Sequence, residues 1–535
     1  MKNRFIIVWL FAFVNLCHGL TPPRYSPFHI HERLKEHAES VEAPFFFPQS
    51  KPNNFDLENV DDVIDSVKAM AEKTAQCWGV PGFNFGIVIK NQTFLLTAGL
   101  DESINSDTNF GIGSTSKAFT SMLVAELVDE GKLDWNTPVK EYTPRFAMFD
   151  PVATERVTIR DMLTHKTGMP DHSYDLGVEV ESQFTRSELF YAIKTLLPGY
   201  DFRSQWQYSN LMVMAAGHVA EEVTGTSWED LVTERIFHPV GMKRTCPDLD
   251  CALAEGNLAM PTLLVSSDPV SRVDGGYECN RWLTPENPSG GIYSNVKDLT
   301  KWIQVHLNTS GMIFLTDSEV ELVKPDTLKE LHTPQTSLFP YDPRSSWVPA
   351  PGEFISIETH SYAFNWVVEN YRGWRHVEHG GTTWGFNSQI SLLPDIGVGF
   401  VGLSSGDNTN NALLLLAYYT FDLLLYKKSW VTESQLCPAP QQAPIASKSK
   451  SHKLTQVETS DVSDYAGSYE HPFFGTITFS YDNNHDLLYG TWQTASGNTT
   501  YVGDALFTWH VSVNYFPTDF PGNALGISEK YQWRG

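Results

Sequence analysis

One short run constrains this chain more than any other: Ser114-Thr115-Ser116-Lys117, entered through Phe110-Gly111-Ile112-Gly113. After it, Phe119, Met122, Leu123 and Leu127 recur at helical spacing, so the run opens a helix. Residues i and i+3 share a helix face, which brings the Lys117 amine within reach of the Ser114 hydroxyl. A serine attacks poorly unless a neighbouring base takes its proton. A lysine acts as that base only where burial or other cations lower its pKa. The helix N-terminus adds a partial positive charge beside Ser114.

Ser-x-x-Lys occurs twice more, at Ser294–Lys297 and Ser447–Lys450, but neither copy has the Gly-x-Gly entry. Two further motifs carry chemistry. Tyr208-Ser209-Asn210 opens the helical run 211–223; a tyrosine near a buried lysine can exchange a proton, and the Asn210 amide can hold both lysine and a substrate carbonyl. Asn210 also reads as a helix N-cap, and Tyr293-Ser294-Asn295 repeats the pattern. His379-Gly380-Gly381-Thr382 stands between two strand patterns. Its glycines let backbone approach a ligand closely, and an edge strand there can offer an N–H to an oxyanion.

The chain has 535 residues, enough for two or three domains, and 41% are hydrophobic. A formal net charge of -25 makes nucleic acid and anionic membrane surfaces poor partners. Lys2 and Arg4 precede an apolar run to Leu16, with Cys17-His18-Gly19 after it. Residues 1–19 therefore read as a secretory signal peptide, since the run is too short to span a bilayer. The apolar stretch 412–426 reads as a core helix. Beyond the signal, Cys77, Cys246, Cys251, Cys279 and Cys437 remain. Secretion permits disulfides; Cys246 and Cys251 are close enough for a local loop, and the odd number leaves one thiol over. Asn91, Asn308 and Asn498 head glycosylation sequons.

Residues 20–55, rich in Pro, His and Phe, read as an N-terminal arm, and 56–430 as the main domain. Within it, residues 60–75 are helical, 83–100 form paired strands turning at Lys90-Asn91, and a long, mostly helical middle runs to about 325. Strands are expected again at 362–368, 389–393 and 397–403, so both ends of the domain build one sheet around a helical insert. Residues 431–460 mix Pro, Gln, Ser and Lys and read as a linker. Alternating residues in 461–535 read as a small β-sheet or barrel, and its removal is expected to leave a folded, soluble domain.

Taken in order, these motifs resemble the serine β-lactamase-like family of penicillin-recognising enzymes, and among them class C β-lactamases, DD-carboxypeptidases and related esterases. The resemblance covers about 60–425 and includes Leu133-Asp134, the stretch 159–168, Pro239-Val240-Gly241-Met242 and Gly290-Gly291-Ile292-Tyr293-Ser294. It implies an α+β fold: a β-lactamase/transpeptidase-like domain, with an antiparallel sheet and a large helical subdomain, followed by a small all-β C-terminal domain.

By the same resemblance Ser114 forms an acyl-enzyme, Lys117 and Tyr208 share proton transfer as a coupled pair, and Asn210 orients lysine and substrate. The backbone N–H groups of Ser114 and Thr382 form an oxyanion hole, with His379, Gly380 and Gly381 lining the site. The expected substrate is a small amide or ester, with no metal and no cofactor. Many β-lactamases carry lysine where this chain has His379, and a neutral imidazole attracts a carboxylate less strongly than an ammonium does. The competing reading is a non-catalytic or vestigially catalytic acidic protein of an extracellular or biomineral matrix. Gly402-Leu403-Ser404-Ser405-Gly406 matches Gly-x-Ser-x-Gly, but a turn closing a strand explains it better than a second nucleophile.

Overall fold

The computed structural model describes residues 60–169, 184–264, 268–281, 283–308, 312–315, 318–338 and 357–437, and the strands and turns between 462 and 534. The expected signal peptide, the arm, the Ser447 motif copy and most of the linker lie outside these residues.

Helix α1 (Val60–Trp78) buries Val60, Ile64, Val67, Ala71 and Ala75, one stripe at helical spacing. Strands β1 (Phe83–Ile89) and β2 (Gln92–Thr97) follow, turning at Lys90, whose φ is 56°. The helical part holds α2 (Lys117–Asp129), α3 (Asn210–Thr224) and α4 (Val296–Leu307). The chain then returns through β3 (Thr336–Ser337), β4 (Ile357–Tyr362), β5 (Val367–Tyr371), β6 (Trp374–Thr383), β7 (Phe386–Leu393) and β8 (Val398–Ser404), and closes with α5 (Asn410–Tyr426).

These eight strands form one antiparallel sheet in the order β2-β1-β8-β7-β6-β5-β4-β3. The two ends of the domain meet where β1 pairs with β8, from Phe83 opposite Ser404 to Ile89 opposite Val398. Alternation along β1 divides its side chains between two layers. Phe83, Phe85, Ile87 and Ile89 join the core under α1 and α5. Gly86 faces α4 instead, where an added Cβ would lie 2.4 Å from Thr300 Cγ2. Helix α5 is apolar on nearly every side because it is packed between this sheet and α1. Among the described residues no helix is long and apolar enough to cross a membrane.

Cys77 bonds Cys437 and Cys246 bonds Cys251. The first bridge ties α1 to a short helix at Glu433–Leu436, so ordered chain continues past the boundary expected at 430. The C-terminal part is a second antiparallel sheet of seven strands: β9 (Gly467–His471), β10 (Gly475–Asp482), β11 (Leu487–Trp492), β12 (Ala495–Gly503), β13 (Leu506–His510), β14 (Ser512–Val513) and β15 (Lys530–Arg534). The turn between β9 and β10 reaches the main domain. Phe473 is fully buried and belongs to the core of the helical part, against which Phe184 also packs.

Two strand expectations are corrected. The stretch 362–368 is not a strand: β4 ends at Tyr362 and β5 starts at Val367. Between them a turn closes by Ala363 N–H donating to Trp366 O, with Asn365 at φ 59°. Ala363, Phe364 and Trp366 are buried in that turn, which is why their apolarity reads as a strand. His379-Gly380-Gly381-Thr382 does not stand between strands or at an edge; it lies within β6, an interior strand.

Candidate active site

Ser114 sits in a single 3₁₀ turn, Gly113–Ser116, that runs directly into α2. The turn is held from behind by a two-residue strand pair, Phe110–Gly111 with Tyr293–Ser294. Lys117, the first residue of α2, is fully buried. Its ammonium donates to Ser114 Oγ at 3.0 Å and to the Ser289 carbonyl at 2.6 Å. The backbone of Lys117 is held by Asn365 Nδ2, 3.2 Å from its carbonyl, with Ser121 Oγ a second partner at 2.9 Å.

Tyr208 comes from the extended residues before α3, and its hydroxyl donates to Ser114 Oγ at 2.8 Å. Lys117 Nζ lies 4.9 Å from the centre of the Tyr208 ring. The Ser114 hydroxyl thus touches both groups able to move its proton. Asn210 is the first residue of α3, while Ser209 is the N-cap, so Asn210 does not serve as the cap. Below the tyrosine, His165 adopts φ 57°, its ring centre 4.6 Å from that of Tyr208 and its Nδ1 accepting from Ser209 N–H at 3.2 Å.

Strand β6 brings the third motif alongside. A Cβ on Gly381 would lie 2.0 Å from the Ile112 carbonyl and one on Gly113 2.6 Å from Thr382 N. Only glycine allows the strand and the nucleophile turn to run this close, and Gly113 also sits at φ +52°. Ser388 Oγ fastens the contact by donating to Ile112 O at 2.6 Å. The Thr382 amide is therefore beside the turn that carries the Ser114 amide. Thr382 Oγ1 is itself fixed by Asn387 Nδ2 at 3.1 Å and by Asn410 Oδ1 at 3.2 Å.

His379 is buried on the same strand. Its Nδ1 lies 2.6 Å from Gly380 O and its Nε2 2.9 Å from the Tyr362 hydroxyl. Burial, and then the Lys117 charge, push its pKa down to about 4. Burial also raises the Tyr362 hydroxyl well above the usual phenol range, with smaller contributions from Tyr208 and Glu378.

The motif copies have structural uses. Tyr293 pairs with the Phe110 strand, Ser294 bonds Thr245, and Asn295 caps α4 by accepting from Asp298 N. Lys297 pairs with Asp107 at the surface. Ser404, the serine of the Gly-x-Ser-x-Gly match, is fully buried at the end of β8, where its hydroxyl donates to Gly406 O at 3.4 Å. Among the sequons, Asn91 is exposed on the β1–β2 turn, Asn308 is half-buried after α4, and Asn498 falls in β12.

Several site residues carry no motif signal. Ser289, which accepts from Lys117, directly precedes Gly290-Gly291, and those glycines were the available sign. His165 lies in the stretch 159–168. Tyr362 reaches the site from the end of β4 and Asn365 from the turn after it, both within the stretch 362–368.

The family model described as Beta-lactamase matches residues 70–425, a span that contains every element of this site. The chain belongs to the Beta-lactamase family. It is 28% identical over 457 residues to the unguisins hydrolase ungD' of Aspergillus campestris, covering 81% of this chain and 80% of that one. It is 25% identical over 359 residues to Protein flp of Staphylococcus aureus (strain MW2), covering 64% of each. Among solved structures, the octameric penicillin-binding protein homologue from Pyrococcus abyssi superposes with a TM-score of 0.54 at 17% identity, over 88% of this chain and 99% of that one. A class C β-lactamase from Rhodobacter sphaeroides gives 0.52 at 18%, over 68% and 99%. At such identities these two establish the fold: a β-lactamase/transpeptidase-like domain with a small all-β C-terminal region. At the level of the Beta-lactamase family, the chain is a serine hydrolase.

Proposed function

We propose that this chain is a secreted serine hydrolase that cleaves an amide or ester, of peptidase or esterase type, through an acyl-enzyme on Ser114. One observation carries the reading: Ser114 Oγ is held at once by Lys117 Nζ at 3.0 Å and Tyr208 Oη at 2.8 Å. Both distances are those of a nucleophile in contact with its base.

In the proposed reaction the Lys117–Tyr208 pair enters one proton short, as phenolate or as free amine; Ser114 Oγ bonds to the substrate carbonyl carbon and its proton passes to that pair. The carbonyl oxygen becomes an oxyanion between the Ser114 and Thr382 N–H groups. Its collapse breaks the C–N or C–O bond, and the pair returns the proton to the leaving nitrogen or oxygen. Water then adds to the acyl ester, giving its proton to the pair. The acid leaves and Ser114 recovers its hydrogen. Asn210 orients the lysine and substrate, and His379, Gly380 and Gly381 line the site.

A fully buried lysine aimed at a serine costs desolvation that a non-catalytic matrix protein has no reason to bear. The Aspergillus relative is named as a hydrolase, which supports turnover in the same direction. Secretion rests on the charged and apolar N-terminal segment and on the two disulfides, which persist in oxidising compartments.

Intact-mass measurement after incubation with a fluorophosphonate, beside Ser114→Ala, tests the reading. The expected result is one adduct, absent from the variant. A folded wild-type chain without adduct would sink the enzyme reading in favour of the matrix one.

A further inference from the structure

The two nitrogens of His379 have different partners, and together they fix its state. Nδ1 faces the Gly380 carbonyl at 2.6 Å, and a carbonyl can only accept, so Nδ1 carries the hydrogen. Nε2 then offers a lone pair, and the Tyr362 hydroxyl at 2.9 Å donates to it. Both residues are buried, Tyr362 almost completely. A proton on Nε2 would force the Tyr362 hydrogen to turn away and find another acceptor inside a packed setting.

Burial and Lys117 outweigh the support that the Gly380 carbonyl gives the charged imidazole. The Tyr208 ring lies 6.3 Å from His379, and His165 and Trp206 lie 5.1 and 5.5 Å from Tyr362. Lys117, the nearby cation, repels a second positive charge, while the Glu378 side chain accepts from Gln389. Residues next in sequence to His379 run along the nucleophile turn, so its ring borders the place where a substrate must lie.

We propose that Tyr362 is a positioning residue that locks His379 as the neutral Nδ1–H tautomer, and that the site thereby selects esters or internal amides with no carboxylate beside the bond broken. The inference rests on Ser114 being the nucleophile. An ammonium at position 379 would compensate a substrate carboxylate for the water it loses; a neutral imidazole with both nitrogens engaged does not.

Two thioesters test this on the full chain: one bearing a carboxylate on its leaving group, and its methyl ester. Each competes with a fluorophosphonate for Ser114, read by mass. The methyl ester is expected to protect Ser114 at a concentration lower by about tenfold or more. His379→Lys is expected to invert that order. In Tyr362→Phe the imidazole stays buried beside Lys117 and so stays neutral, but Nε2 loses its partner and the ring can turn an N–H toward the substrate, so the ratio is expected to shrink at every pH while remaining level with pH. A merely structural lesion would weaken both thioesters alike. Equal or better protection by the carboxylate thioester, no protection by either, or a Tyr362→Phe ratio equal to that of wild type would overturn the proposal. Failure of the fluorophosphonate to label Ser114 at all would instead overturn the hydrolase reading beneath it.

Discussion

Tyr208 reaches Ser114 across 94 residues of sequence and places its hydroxyl 2.8 Å from the serine oxygen, within the same small space as Lys117 Nζ. The nucleophile therefore has two possible proton acceptors, and they act as one unit. Tyr208→Phe keeps the ring packed on His165 and removes only the oxygen. Turnover of an activated ester is expected to fall by about 10²–10⁴, with little change in melting temperature. Lys117→Met is expected to lose at least as much. That change leaves the Ser289 carbonyl without its donor, a cost of about 1–3 kcal/mol, but it also removes a buried charge. Steady-state kinetics beside thermal melts check both, and normal acylation in either variant would remove that residue from the mechanism.

Gly381 makes the oxyanion geometry a packing question. An added methyl would meet the Ile112 carbonyl at 2.0 Å and Ser388 Oγ at 2.3 Å, and the first of these is backbone that cannot swing aside. Gly381→Ala must push β6 away from the Ser114 turn and carry the Thr382 amide with it. Because a shift of about 1 Å at a reacting centre can cost about 10²-fold, kcat should drop by roughly that factor or more. Far-ultraviolet dichroism should stay near wild type. Unchanged kcat would mean that the Thr382 amide has no part in the reaction.

The legible parts of this architecture were those with local periodicity. The β1–β2 hairpin, β7, β8 and α5 are continuous apolar or alternating runs bounded by turn residues, and the Gly-x-Gly entry singled out Ser114 from its copies. Residues that act through tertiary placement left no such trace. Tyr362 meets His379 only because β4 and β6 flank β5 in the sheet. Asn365 looks like one polar residue in an apolar strand, yet it occupies a left-handed turn and ties α2 to the sheet. Ser289 contributes a backbone carbonyl, a group that its residue type does not report.

Buried histidines give the fold a defined response to acid. His379 is held down to about 4, His332 to about 3 and His306 well below 6.5, each chiefly by burial. His306 Nδ1 and His332 Nε2 stand 3.0 Å apart beneath Trp302 and Trp366. Their pKa values are lower folded than unfolded, so between about pH 4 and 6.5 the unfolded chain binds more protons. Stability is then complete above the unfolded value and is lost as pH falls toward 4. Each histidine contributes about 1.4 kcal/mol per pH unit within its window. Urea midpoints measured from neutral pH down to about 4.5 should fall, and His332→Phe should flatten the slope. A midpoint independent of pH would contradict the burial of these imidazoles.

Phe473 changes the expectation for the C-terminal sheet. Alternating strands after a Pro-rich segment suggest an appendage that can be removed without harm. The turn between β9 and β10 instead delivers a fully buried phenylalanine into the core of the helical part. A Cβ on Gly475 would lie 3.8 Å from the Phe184 ring, so the backbone of the turn also lies against the main domain. Phe473→Ala is expected to cost about 3–5 kcal/mol, the usual range for emptying a buried aromatic site. Deleting 461–535 removes the same side chain and also exposes the apolar surface that received it. The truncated chain should melt earlier than the full chain and bind more of the dye ANS. A truncation with unchanged melting temperature and no added dye binding would show that the sheet contributes nothing to the main core, and that the appendage reading was right.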